Sequence, residues 1–460
     1  MKKILININI ILIFACGTGY ADTHYVSRDG TNDSATGYIT WSGAATQFQW
    51  AVDAAVASDT VLVSNGVYDT GGAVTPGGWS LTNRVVITKA ITVRSANNDP
   101  TTTIIKGKPD DVTGTCGTNA VRCVYINSSG ASLIGFTLTD GHTMQTGSGD
   151  GIYYERSGGG VFLNAAGTVI SNCLILRNKA SYRGGGAFGG VLYNCTLTAN
   201  AADASCGGTE SAAWKGGGIS GGTLNDCMVN CNTSKWGAVY YSGGGTMNRC
   251  TLSNNVATGS GGGGGLFVES GSPTVNNCLL VANRTLTSDG GGVYLFGGSP
   301  LMKNCLLVGN VSGNLGGNAF FNGCGTMNNC TLVAGGANGG GGVRMVSGGA
   351  LTNCIVWGNT NSDFYIHITG SVSYVCYETS NAGYPKPSGQ SVITNNPLFV
   401  DTNTANYRVS ANSPCVNTGT NQLDWMTGAV DLDGRMRIRY GTVDMGAYEC
   451  IYSGTIFSGR

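Results

Sequence analysis

Four short stretches set an aromatic ring beside a fixed positive charge: Tyr154 with Arg156, Tyr182 with Arg183, Trp214 with Lys215, and Lys235 with Trp236. Each stands just ahead of a glycine corner. An aromatic face stacks on a sugar ring, and a cation pairs with a carboxylate or sulfate, so this alternation suits an anionic glycan. The competing reading is that the pairs are cation–π contacts that stabilise exposed loops. Later corners carry Asp289, Leu315 and Gly339 instead, so the feature is local and the repeat alone does not produce it. These eight residues form the candidate substrate-binding set, and no residue is assigned to catalysis.

The elements that must position them are repeats. A cysteine preceded three residues earlier by an apolar residue, and followed two residues later by another, recurs as Cys173, Cys195, Cys227, Cys250, Cys278, Cys305, Cys330 and Cys354, at intervals of 22 to 32 residues. That interval is a solenoid period. The fifth residue after the Cys is Asn in every copy except the one where Gly335 stands. Cys and Cys+2 share one face of a strand, whereas Cys−3 has the opposite parity, so the chain must bend between them. The bend residue is Asn172, Asn194, Asn277, Asn304, Asn329 or Asn353 in six copies, and Asn tolerates the left-handed conformation. With Gly at 76 of 460 residues, runs such as Gly184–Gly186 and Gly290–Gly292 supply the corner that opens each coil. The pattern predicts three short strands per coil, stacked in parallel about 4.8 Å apart, as a right-handed parallel β-helix over residues 61–378. Strand parity then points Phe162, Phe188, Ser220, Tyr240, Phe267, Tyr294, Phe320 and Arg344 outward, as an external aromatic stripe. Such a stripe either shields strand edges or offers a platform for sugars.

Ahead of the coils, Met1–Ala21 has the charge, apolar core and Gly19-Tyr20-Ala21 cleavage site of a secretory signal. Ile13-Phe14-Ala15-Cys16 is a lipobox-like alternative that would make a lipoprotein. Residues 22–60 are expected to cap the open end, with Thr46-Gln47-Phe48-Gln49 as a capping box and Phe48, Val52 and Val56 on one helical face. Export permits disulfides. The eight ladder cysteines are expected to be free and buried, while Cys116–Cys123, Cys206–Cys231 and Cys415–Cys450 are the expected bridges among the 17 cysteines. Charged residues make up 11% of the chain and balance at 25 and 25. That composition offers no electrostatic footprint for nucleic acid.

His24-Tyr25-Val26-Ser27, Ala51–Ala55 and Asp59–Tyr68 resemble the N-terminal coil of pectate-lyase-like right-handed β-helix proteins. The alternation of Leu-x-x-Asn with Gly-Gly-[Val/Ala] is similar to the repeats of polymorphic outer-membrane proteins. Further on, Asn396–Asp401, Ser413–Gly419, Asp431–Gly434 and Val443–Glu449 resemble the choice-of-anchor Q domain, so residues 379–460 are read as a small C-terminal cap of that type. The resemblances imply a secreted or cell-surface protein, with any substrate groove on the first strand of the coils.

Three other sites could carry chemistry. Asp431-Leu432-Asp433-Gly434 has part of a calcium loop but lacks its closing Glu, and pairing of Asp433 and Asp444 with Arg435 or Arg437 is the favoured reading. No cofactor is therefore expected, and calcium is the alternative. His142 stands on a loop with no second carboxylate placed beside it by the period. No Cys/His spacing suggests zinc. The reading of function is an exported surface protein, an adhesin or glycan-binding scaffold, that binds an anionic polysaccharide. The alternative is a polysaccharide lyase acting on a uronic-acid polymer, which the sparse carboxylates disfavour.

Overall fold

The computed structural model describes residues 21–147, 150–202, 204–207, 214–366, 370–379, 389–421, 423–439 and 441–451. The signal segment, with the Cys16 alternative, lies outside the described residues but for Ala21. Two rows of strands flanking the Asn-Cys bend join in a 23-stranded sheet, and the glycine-led strands form a second sheet of 12. The chain is a right-handed parallel β-helix. Neighbouring coils pair in parallel and in register, for example Leu174 with Thr196 and Leu279 with Leu306.

Three left-handed corners turn each coil. At the first, Asn172, Asn194, Asn277, Asn304, Asn329 and Asn353 have φ of 49° to 54°, and Asp226 and Arg249 take the same conformation in the other two copies. The second follows the cysteine strand, at residues as varied as Arg177, Ala199 and Cys231. The third is the glycine corner. Its Gly184 has φ +64°, and a Cβ there would lie 2.0 Å from the Ala187 carbonyl oxygen, so no other residue fits. All eight ladder cysteines are buried and unbridged. Each thiol donates to the carbonyl two residues before it, at 3.2 to 3.4 Å. A small apolar side chain with one weak donor thus fits the inside of the bend.

The asparagine ladder runs unbroken through the interior. Asn178 donates to Asn200, Asn200 to Asn232, Asn232 to Asn255, Asn255 to Asn283 and Asn283 to Asn310, at 2.8 to 3.1 Å. The third glycine of each run exists to make room for it: a Cβ on Gly292 would lie 3.0 Å from the Asn310 amide carbon. Where the period offers Gly335 in place of Asn, the two roles are exchanged. Asn318 occupies the usual glycine position and reaches into the ladder, taking a hydrogen bond from Asn310 at 2.8 Å and giving one to Asn359 at 2.9 Å.

At the N-terminal end, the helix Phe48–Ala54 buries Phe48, Ala51 and Val52, but two expectations fail. The capping box does not form, because the Thr46 hydroxyl donates to Asn32 and Gln49 faces the sheet. Gln49 instead exchanges two hydrogen bonds with the backbone of Val86, so its amide stands in for the missing next strand. Val56 lies beyond the helix and is exposed.

The described part of residues 379–460 lies along the side of the coils. The first-corner asparagines hold it: Asn277 donates to the Asp431 carbonyl, Asn304 to Val430, Asn329 to Asp444 and Asn353 to Thr420. Beneath it Leu306, Val333 and Trp357 pack against Tyr407, Ala447 and Tyr448. The outward positions of the cysteine strand that meet this segment include Leu279, Leu306, Val333 and Trp357, although apolar residues such as Leu174 and Met228 also stand outward in earlier coils.

The cysteine pairing differs from the expected one. Cys116 bonds Cys206, 90 residues on, and so ties two loops on the same side of different coils. Cys123 is buried and free, held by the Thr139 carbonyl, and Cys231 is exposed at a second corner. Cys415 and Cys450 are unbridged and share an apolar cluster with Cys376.

Candidate functional site

The outward residues of the glycine-led strands form one file, in which Phe162 pairs Phe188, Phe188 pairs Ser220, Ser220 pairs Tyr240, and Tyr240 pairs Phe267. The file continues through Tyr294 and Phe320 to Arg344. The aromatic stripe is therefore outside the coils, as parity requires, but it is not an exposed platform. Phe162, Tyr240 and Phe267 are at most 1% exposed, because the turns ahead of the glycine corners fold over them. Tyr154 covers one end, stacked on Trp79 and tilted against Phe162, and Trp236 stands edge-on to Phe267 at 4.8 Å.

The file has one gap, at Ser220, and there the charges gather. Ser157, Arg183, Lys215 and Trp236 pair in register on four successive coils, which puts Arg183 and Lys215 in one row. Arg156, Tyr182, Trp214 and Lys235 fall one residue earlier, with the opposite parity. Arg183 and Lys215 both lie over the Tyr240 ring, at 5.3 and 4.8 Å. Buried Lys215 donates to the Tyr240 hydroxyl at 2.9 Å and to the Glu269 carboxylate at 2.6 Å, and Tyr240 also donates to Glu269. Burial pulls the Lys215 ammonium below its usual range, against the Glu269 carboxylate. Burial works to raise Glu269, but its bonds from Lys215 and Tyr240 and the Lys215 and Arg183 charges hold it low. Burial and the neighbouring carboxylate push the Tyr240 phenol far up. Lys215 is thus an internal partner.

Arg183 is different. Its guanidinium sits among three rings, Tyr153, Tyr182 and Tyr240, at 4.9 to 5.4 Å. Its hydrogen bond is a long one, 3.5 Å to Ser242, its Nε is buried without a partner, and among the described residues no carboxylate lies within ion-pair distance. The cation is held in place by the rings, and Glu269 feels its charge through space without a direct ion pair. Beside it, Lys235 lies over the rings of Trp214 and Trp236, and Trp214 is fixed by donating to the Gly207 carbonyl at 3.1 Å. Arg183, Lys215 and Lys235 therefore converge on shared rings; Arg156, buried and bonded to Ser181, shares the Tyr182 ring with Arg183 at 5.7 Å, and Tyr154 belongs to the cover of the stripe.

Sequence reasoning missed Tyr153, Tyr240 and Glu269 as parts of this cluster. Glu269 was open to the same parity argument, two residues after Phe267 on one strand. Tyr153 was not, because Gly151–Arg156 is a helix, whose turn presents Tyr153 to Arg183 and Tyr154 to Trp79. His142 is buried, hydrogen-bonded to the Asp140 carbonyl and lowered by burial, away from this cluster. At the C-terminal segment, Asp433 pairs with Arg408 and Arg435, Asp431 accepts backbone amides, and Arg437 pairs with Glu449 at 3.1 Å. Among the described residues no three His, Cys, Asp or Glu side chains are placed to hold a metal ion.

No family model matches the chain, and no curated protein sequence does. Among solved structures, pectate lyase Pel9A is similar at 13% identity and a TM-score of 0.47, over 93% of this chain and 97% of its own. A rhamnogalacturonan lyase is similar at 13% identity and a TM-score of 0.35, over 83% and 91%. XylC, solved in complex with xylose, is similar at 10% identity and a TM-score of 0.40, over 82% and 87%. These likenesses concern the winding of the chain, and no residue role follows from them.

Proposed function

We propose that this protein is exported and binds an anionic polysaccharide across the outer face of its glycine-led sheet, at the Ser220 gap. The observation that carries the reading is Arg183, a guanidinium walled by Tyr153, Tyr182 and Tyr240 with no carboxylate partner among the described residues. A fixed fork of donors beside aromatic faces suits a sugar acid, whose carboxylate takes the fork while the ring stacks alongside. Trp214 and Lys235 extend the surface by one coil. Affinity electrophoresis in gels cast with polygalacturonate, alginate or a sulfated galactan tests this reading. Retardation by at least one polymer, weakened by salt, is the expected result, and free migration through all three would overturn it.

One observation favours a second reading, cleavage of the polymer by β-elimination. Lys215 is an amine lowered by burial and hydrogen-bonded to a phenol, next to a cation able to neutralise a uronate. In that reaction the lysine, as the free amine, takes the proton from the carbon beside the carboxylate. The electrons form a double bond, the glycosidic C–O bond breaks, the leaving oxygen takes a proton from solvent, and the lysine returns its proton to solvent. The bond from Lys215 to Glu269 opposes it, since a carboxylate at 2.6 Å favours the protonated ammonium. Ultraviolet detection of unsaturated products from the same polymers separates binding from cleavage.

A further inference from the structure

The N-terminal cap holds a second feature of a different kind. Residues 31–45 form a loop knitted to itself by backbone hydrogen bonds, Thr31 to Ser42, Asn32 to Ala44 and Asp33 to Gly43. At its turn Trp41 is 43% exposed, and its ring leans on Tyr25 with centroids 4.5 Å apart. Trp41 shares with Ser27, Asp29, Ser64, Asn65, Ala96 and Asn97 the lining of a shallow, widely open depression of about 520 Å³.

The lining follows from the fold. Val26 pairs Val63, and Val63 pairs Ser95, so Ser27, Ser64 and Ala96 leave three successive strands in file. The next residues bring Asn65 and Asn97 to the same rim, one rung of about 4.8 Å apart, and Asp29, two residues past Ser27, joins them. Among the described residues the Asp29 carboxylate and the Asn65 Nδ2 have no hydrogen-bond partner, so an acceptor and a donor stand open beside the exposed ring. Asn97 is oriented by Thr102, to which its Nδ2 donates at 3.0 Å. Arg28 points elsewhere, to Val67 and Asp69. Asp29 is the one charged residue in the lining.

We propose that this depression is a saccharide site for an uncharged sugar, separate from the cluster at Arg183. An indole offers the apolar face on which a pyranose ring stacks, while a carboxylate and primary amides accept from and donate to its hydroxyls. The negative charge of Asp29 disfavours a uronate, so the two sites select opposite chemistries. The knitted loop sets the ring in position before binding, which limits the ordering entropy lost on contact.

Titration calorimetry of the whole exported chain with cellohexaose, mannohexaose and maltohexaose tests the proposal. At least one hexamer binds the wild type, Trp41→Ala weakens it about tenfold or more, and Asp29→Ala weakens it less. Arg183→Ala leaves this binding unchanged, and Trp41→Ala leaves polygalacturonate binding unchanged, so failure here is distinct from failure at the Arg183 cluster. Unaltered melting temperatures of the variants exclude misfolding. The proposal is overturned if no hexamer binds at millimolar concentration, if Trp41→Ala binds as well as wild type, or if Arg183→Ala abolishes hexamer binding.

Discussion

At the scale of single residues, the two cations in the row at the gap have opposite fates. Arg183 is held by rings and makes no direct ion pair among the described residues, whereas Lys215 spends its charge on Glu269. Removing Arg183 should therefore affect binding, and removing Lys215 should affect the fold. We expect Arg183→Ala to weaken anionic glycan binding by about 1.5–3 kcal/mol, the range for hydrogen bonds to charged groups, with little change in melting temperature. Lys215→Ala leaves Glu269 facing Tyr240 without its cation. Breaking a fully buried pair costs about 3–5 kcal/mol, and because Glu269 is 35% exposed the expected loss is smaller, about 2 kcal/mol, read from urea unfolding. The conservative Arg183→Lys keeps the charge but loses the planar fork, and should recover only part of the affinity.

At the scale of elements, the repeat was legible in the sequence because it is written in side chains with a single job each. Cys173 through Cys354 marked the inside of a bend, and Asn172 through Asn353 marked a left-handed turn, so strand parity and corner followed directly. The second corner was not legible, since Arg177, Ala199 and Cys231 carry no preference for positive φ and accept it because the coils on both sides dictate it. The course of the C-terminal segment was not legible, because apolar outward residues such as Leu279 and Leu306 beneath it have counterparts in Leu174 and Met228 of earlier coils. Strand parity placed the aromatic stripe outside, but nothing local says what folds over it, and so its burial was missed. The disulfide was missed because Cys116 and Cys206 meet only once the coils are stacked. The exchange of Asn318 for Gly335 yields a sharp test of the ladder. Asn318→Ala leaves Asn310 and Asn359 each short of a buried hydrogen bond, and should cost about 2–4 kcal/mol by chemical denaturation. A surface asparagine such as Asn338, substituted likewise, should cost well under 1 kcal/mol.

At the scale of the whole molecule, the β-helix is fastened along its flank by a segment whose buried charges titrate. Glu449 is pushed up to about 8 by burial, opposed by Arg437 and aided by Asp444 and Asp431, the charged groups that face it. Asp363, in the last coils, is pushed up to about 7, again by burial. Folded values above the unfolded ones mean that these carboxyls support the fold fully below about pH 4, and that this support is lost progressively as pH rises to and through the folded values of about 7 and about 8. Asp226 and Asp433 have the opposite sign: the hydrogen bonds from Arg249 and from Arg408 hold them low, so their support is lost as pH falls below about 4. Melting temperature should accordingly peak near pH 5 and decline toward pH 9, and Glu449→Gln should flatten the alkaline side. A melting temperature that rises steadily from pH 5 to pH 9 would contradict this assignment. The central claim, that the ring-walled Arg183 on the outer face of the glycine-led sheet recognises an acidic sugar, is tested most directly by titrating polygalacturonate, alginate and a sulfated galactan into the wild type and Arg183→Ala at low and moderate salt. The account predicts salt-sensitive binding of at least one polymer by the wild type, and a loss of about tenfold or more in the variant at unchanged melting temperature. Equal affinity of the two proteins for every polymer, or binding that salt does not weaken, would contradict it.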